Sequence, residues 1–235
     1  LTLTGTSTNV GVSIAIAGSL VDSNGGLDAR AVVNNRGSLT LDADDEVASY
    51  TQTNATLAGS GILTVTGAAS INMGTISGRL LADTTISGPV HVSGSIGGGA
   101  LVIQKQGALT LEGTLSSREV TISEQGTLDA YGKMGDQAAV TNSGSLLVRR
   151  DNTIGTYVQN PGAFLAGDAV LTVAGGAVLH GGAVSGNLSA TTSIRGDVLI
   201  SGSQGVVRQR QALAGALNRP LEQVRVICPD VGGGF

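Results

Sequence analysis

The feature that most constrains this chain is a short phrase that keeps returning: an aliphatic residue, three variable positions, Gly, one further position, then Leu. It reads VNNRGSL at 33–39, IQKQGAL at 103–109, ISEQGTL at 122–128 and VTNSGSL at 140–146. Looser versions, with Ala in place of Gly, stand at 65–71 (VTGAASI) and 173–179 (VAGGAVL). The phrase starts at 103, 122 and 140, a step of 19 and then of 18, and 65 to 103 is 38, twice 19. A period near 19 suits one coil of short strands rising about 3.3 Å per residue. The aliphatic positions then point inward, and Gly supplies the turn conformation that other residues reach only at a cost. Each buried Val, Leu or Ile contributes about 1.5–3 kcal/mol. No coil buries its face alone, so only a stack of coils makes a core.

A longer period overlies the first. Residues 57–95 align without gaps on 165–203, with 20 of 39 positions identical. Upstream, after a one-residue offset, 33–50 matches 140–157, including Gly37 with Gly144, Leu39 with Leu146 and Tyr50 with Tyr157. A block about 107 long, seen as 33–95 and 140–203, has been duplicated. A stack accepts such a copy because a new block needs contacts only with its neighbours. An antiparallel β-sandwich also has regularly spaced short strands. It explains neither the single phrase at a near-constant step nor the interchangeable blocks. The expected fold is therefore all-β, a parallel β-helix over residues 1–204.

Composition agrees and excludes other classes. Aromatic residues are 2% and Trp is absent, so Val, Leu, Ile and Ala must build the core; 37 Gly and 13% charged residues suit tight turns. Net charge is -4 and no basic patch occurs in the first 200 positions, which argues against nucleic acid as a partner. No apolar run reaches the ~18 residues of a membrane span. The apolar stretch 10–20 lacks the charged front of a signal peptide. Leu1 is no natural initiator, so the N-terminus reads as a cut edge. The single Cys228 cannot form an internal disulfide.

Few residues invite a chemical role. Arg195-Gly196-Asp197 lies between Ile194 and Val198, whose counterparts are Ile86 and Val90 around Ser87-Gly88-Pro89. Alternation puts Ile194 and Val198 inside and the turn in solvent, so a guanidinium and a carboxylate project together. That is integrin-type recognition chemistry, set against a chance tripeptide in an ordinary turn. Asp42, Asp44, Asp45 and Glu46 form the only dense acidic cluster. Their duplicate reads Arg149-Arg150-Asp151-Asn152, which favours a solvated turn over a calcium loop. His91 and His180 have no second ligand at metal spacing and no obvious acid partner. Gly97-Gly98-Gly99 and Gly181-Gly182 do not open a nucleotide-binding helix. Asn54-Ala55-Thr56 and Asn187-Leu188-Ser189 have the form of sequons. No catalytic residue, metal or cofactor is expected.

The Gly-x-Leu coils and the paired phrases SYTQTNATLAGSGILTVTG and TYVQNPGAFLAGDAVLTVAG resemble the passenger regions of filamentous-haemagglutinin-like exoproteins and autotransporter adhesins of Gram-negative bacteria. The resemblance covers residues 1–204. It implies a right-handed parallel β-helix, export through an outer-membrane barrel, and a secreted or surface-exposed rod meeting a host cell-surface protein or glycan. It departs from those proteins in lacking their N-terminal secretion domain and a C-terminal barrel. A carbohydrate-active β-helix enzyme is the alternative, but it needs carboxylates converging on one face. Outward positions here are mostly Ser, Thr, Asn and Gly.

After Gly205 the texture changes. Residues 207–218 read as an amphipathic helix with Leu213 and Leu217 at i, i+4. Pro220 follows, then a short strand at 224–227 and the glycines 232–234. The stretch ALAGALNRPLEQVRVICPDVGGGF is similar to a segment of the molybdenum-binding subunit of xanthine dehydrogenase and aldehyde oxidase relatives. There the glycine turn and its Phe lie near the cofactor, which corresponds to Gly233, Gly234 and Phe235. The match is confined to 212–235 and lacks the rest of that pocket, so it implies a non-functional fragment joined to the rod. The tail, 205–235, is expected to cover the last coil.

Overall fold

The computed structural model describes residues 1–22 and 24–200, together with Ala214, Pro220 and Glu222. The helix and strand expected at 207–218 and 224–227 lie outside the described residues, as do Gly233, Gly234 and Phe235. Among the described residues, all strand pairings are parallel. They form a β-solenoid of about ten coils. In the middle of the stack each coil has three strands. Pro89–Val92, Ser95–Gly97 and Ala100–Ile103 lie beside Ala108–Leu111, Thr114–Leu115 and Glu119–Ile122 of the next coil. Here the period is the expected one, with Pro89 facing Ala108 and Ala108 facing Thr127.

Inward positions line up as continuous columns. One runs Ile14, Asn35, Gln52, Ile71, Ile86, Ile103, Ile122, Asn142, Gln159, Leu179, Ile194. Beside it runs Val12, Val33, Tyr50, Ala69, Thr84, Leu101, Val120, Val140, Tyr157, Ala177, Thr192. Each Tyr is followed by Ala and then Thr, so the ring's volume is taken from the next two coils. That alternation of large and small keeps interior density constant. Leu, Ile and Val fill nearly all the remaining inward sites and are almost wholly buried.

Two expectations are corrected by the register. Coils are not uniformly near 19, because Ile71 faces Ile86 and Leu179 faces Ile194, which makes both of those coils shorter. Both short coils follow a break in register, between Thr64 and Ala68 in one block and Val173 and Ala177 in the other. From Ile71 to Ile103 the chain makes two shortened coils by way of Ile86, so the spacing of 38 from Val65 is not two regular turns. Ile71 and Leu179 occupy the column position of Ile103, not that of Leu109. The recurring phrase also merges two kinds of corner. At 103–109 and 122–128 a left-handed residue (Gln106, φ 67°; Gln125, φ 61°) precedes Gly, whose N–H donates to the carbonyl three residues back. At 140–146 the corner is tighter, because Asn142, not Val140, faces Ile122.

A second corner is built from stacked glycines. A Cβ on Gly113 would drive into the carbonyl oxygen of Gly94, and one on Gly132 into that of Gly113. Adjacent coils approach so closely there that the chain leaves no space for a methyl group. Gly113→Ala is therefore expected to destabilise the fold by about 1–3 kcal/mol, read as a lower midpoint in urea unfolding of the full chain.

Candidate functional site

The most organised chemistry lies inside the stack, at the tyrosines. Asn35 Nδ2 donates to the Tyr50 hydroxyl (2.9 Å), which donates to Gln52 Oε1 (2.7 Å). Gln52 Nε2 donates to the Ala55 carbonyl (2.9 Å), and Asn35 Oδ1 accepts from Gly37 N–H (3.0 Å). The second block repeats it. Asn142 Nδ2 donates to Tyr157 (3.0 Å), Tyr157 to Gln159 Oε1 (2.8 Å), and Gly144 N–H to Asn142 Oδ1 (3.0 Å). All six side chains are fully buried. Burial pushes both phenols well above their ordinary pKa, because a phenolate there would lose its hydration.

The network solves a backbone problem. At 52–57 and 159–165 the corner differs by one residue, the source of the one-residue offset between blocks. One copy turns through Asn54 (φ 48°), the other through Pro161-Gly162 (Gly162 φ 80°) with Ala163 N–H donating to the Asn160 carbonyl (3.1 Å). The Asn amides donate to the carbonyls of Thr56 and Phe164, and the Gln amides to those of Ala55 and, one coil on, Gly181. The duplicated tyrosines were visible in the sequence. The sequence does not pair them, because the Asn comes from the preceding coil and the Gln's own strand gives no sign of the bond.

Above the first network lies a shallow surface groove of about 440 Å³ lined by Ile16, Arg36, Asn54 and Thr75, among others. It is open and holds no titratable cluster.

Arg195, Gly196 and Asp197 are all exposed, on the turn between Asn187–Ile194 and Val198–Ile200. Ile194 and Val198 pack against the core, as do their counterparts Ile86 and Val90. Gly196 has a packing reason as well: a Cβ there would meet the His180 carbonyl oxygen, as one on Gly88 would meet that of Asn72.

The acidic cluster separates by direction. Asp42, Asp44 and Glu46 are exposed, and Asp44 Oδ1 accepts from Ile62 N–H (2.8 Å) at the edge of the next coil. Asp151 does the same for Val170 (2.8 Å). Asp45 departs from a solvated turn, being turned into the core and 6% exposed. His91 also departs from expectation: its Nε2 lies 3.0 Å from Glu112 Oε2, an acid partner supplied by the next coil on a half-exposed surface. Among the described residues, no group of three or more His, Cys, Asp or Glu is placed to hold a metal, and no helix is long and apolar enough to cross a membrane.

Neither a protein-family model, nor a curated protein, nor a solved structure matches the chain. Removing the phenol hydroxyl in Tyr157→Phe leaves Gln159 Oε1 without its donor in the core. That substitution is expected to cost about 1–3 kcal/mol, measured by chemical denaturation, with Tyr50→Phe giving a loss of the same size.

Proposed function

We propose that this chain is a structural and adhesive segment of a rod in a secreted or surface-exposed bacterial exoprotein, without catalytic activity of its own. The observation that carries this reading is the repetition of an entire block with its column partners kept. From Asn35 to Asn142 the column passes through six coils and arrives at the same polar network, the same short coil and the same corner glycines. Copying a block lengthens a stack without disturbing either end, which suits a spacer that must reach. The outward Ser, Thr, Asn and Gly, together with the likeness to exoprotein passenger regions, support the same reading. Export through an outer-membrane barrel and a host protein or glycan as partner belong to this proposal. The solvent-facing Arg195-Gly196-Asp197 turn supports an adhesive contact within it.

A third copy of the block, inserted after residue 140, is expected to add six coils. At about 4.8 Å per coil, the maximum dimension from small-angle scattering should grow by about 29 Å. An unchanged dimension or a misfolded product would defeat the rod reading. For adhesion, Asp197→Glu is expected to abolish attachment of cultured host cells to the immobilised chain; unchanged attachment would retire that turn.

A further inference from the structure

Asp22 and Asp45 stand out because, among the described residues, the core holds no other carboxylates. Asp22 is 0% exposed and Asp45 6%. Asp22 is well supplied with donors: Asn24 N–H reaches Oδ1 at 3.2 Å, and Gly26 N–H reaches Oδ1 at 3.2 Å and Oδ2 at 3.0 Å. Asp45 Oδ1 accepts from Leu27 N–H at 3.1 Å, but its Oδ2 is buried with no partner.

The duplicated block shows what that atom's position is built for. Asn152 is the counterpart of Asp45. Its Oδ1 accepts from Met134 N–H (2.7 Å), as Asp45 Oδ1 does from Leu27. Its Nδ2, at the place of Asp45 Oδ2, donates to the carbonyls of Gly132 (3.1 Å) and Arg150 (3.0 Å). Asp22 corresponds to Ala130, since each pairs with equivalent residues, Leu41 and Val148. One copy thus has an amide beside a methyl group, and the other has two carboxyls. The site requires a hydrogen-bond donor at Oδ2, and a carboxylate has none to give.

We infer that Asp22 and Asp45 form a buried proton-binding site, with one proton held on Asp45 Oδ2 beside the Asp22 carboxylate. The orphaned oxygen becomes a donor, and two like charges are avoided in the core. Burial first, and then the neighbouring Asp22, hold the Asp45 carboxyl protonated up to about 8. A metal ion fits the site less well, because the ring of backbone N–H groups would face it with positive dipoles. No other charged group among the described residues offsets the pair. In the intervening loop Asp28 and Arg30 are bonded to each other (2.9 Å). On Asp45's own strand Asp44 and Glu46 are exposed. The facing strand of the next coil presents Leu63, Thr64 and Val65, and the preceding coil sets Leu3 beside Asp22.

The linkage has a definite sign. An unfolded Asp titrates near 3.9, so from there up to about 8 the folded chain binds a proton that the unfolded chain has lost. Stability from this site is complete below the lower value and falls as pH rises to the upper one. The full chain and Asp45→Asn should therefore diverge with rising pH. At about pH 9 the variant should melt about 4 °C or more above the wild type, with the difference shrinking towards about pH 4. Equal pH dependence of the two proteins overturns the proposal. So does a calcium-induced rise in the wild-type midpoint at about pH 7.5 that Asp45→Asn abolishes, since that would make the site a cation site. If the variant does not fold, the infrared carbonyl band of a protonated carboxylic acid in the folded wild type decides. Its presence at about pH 6.5 and loss by about pH 10 support the proton, and its absence at both overturns it.

Discussion

The parallel ladder between coils is the constraint on which everything else here depends. Each residue sits about 4.8 Å above its counterpart in the coil below, so every inward side chain must fit, in volume, polarity and backbone geometry, the coils on either side of it. A side chain is never packed alone; it is packed against the same position one coil earlier and one coil later. The consequences are visible at single residues. Tyr50 and Tyr157 are followed by Ala69 and Ala177 because the ring takes space that the next coil must give up. Gly132 follows Gly113, and Gly113 follows Gly94, because the carbonyl of one coil lies where the next coil's Cβ would be.

The same constraint explains why polar groups occur in the core at all. Where coils of different length or corner type meet, polar side chains add hydrogen bonds to backbone carbonyls inside the stack, and a buried polar group left unpaired costs about 1–3 kcal/mol. Asn35, Tyr50 and Gln52, with their copies Asn142, Tyr157 and Gln159, stand at such places. Asp45 and Asn152 serve another corner, one with an acid and one with an amide. Duplication thus placed two chemically different solutions to one geometric problem in a single chain. The acid solution makes part of the stack answer to protons.

The proposed rod role rests on the same geometry. A stack whose outer face is mostly short hydroxyl and amide side chains presents a regular surface with isolated charged features, such as the Arg195-Gly196-Asp197 turn. Its mechanical property, length in proportion to coil number, comes from the ladder and not from any one residue. That is why a whole block could be copied while its pairing partners were kept.

Much of the architecture was legible in the sequence, because periodicity is a property of the chain itself. The phrase with Gly and Leu, the duplicated block and the inward Ile194 and Val198 all follow from residue order. What the sequence could not show is register, because a column is a relation between residues a whole coil apart and that step varies. Only the stacked coils showed that Ile71 aligns with Ile103, that Asn142 and not Val140 continues the column, and that His91 meets Glu112. They also turned one member of an acidic run, Asp45, away from solvent and towards Asp22. The physical reason is the same in each case. Alternation along a strand decides which residues face inward, but the neighbouring coil's backbone decides what they meet there.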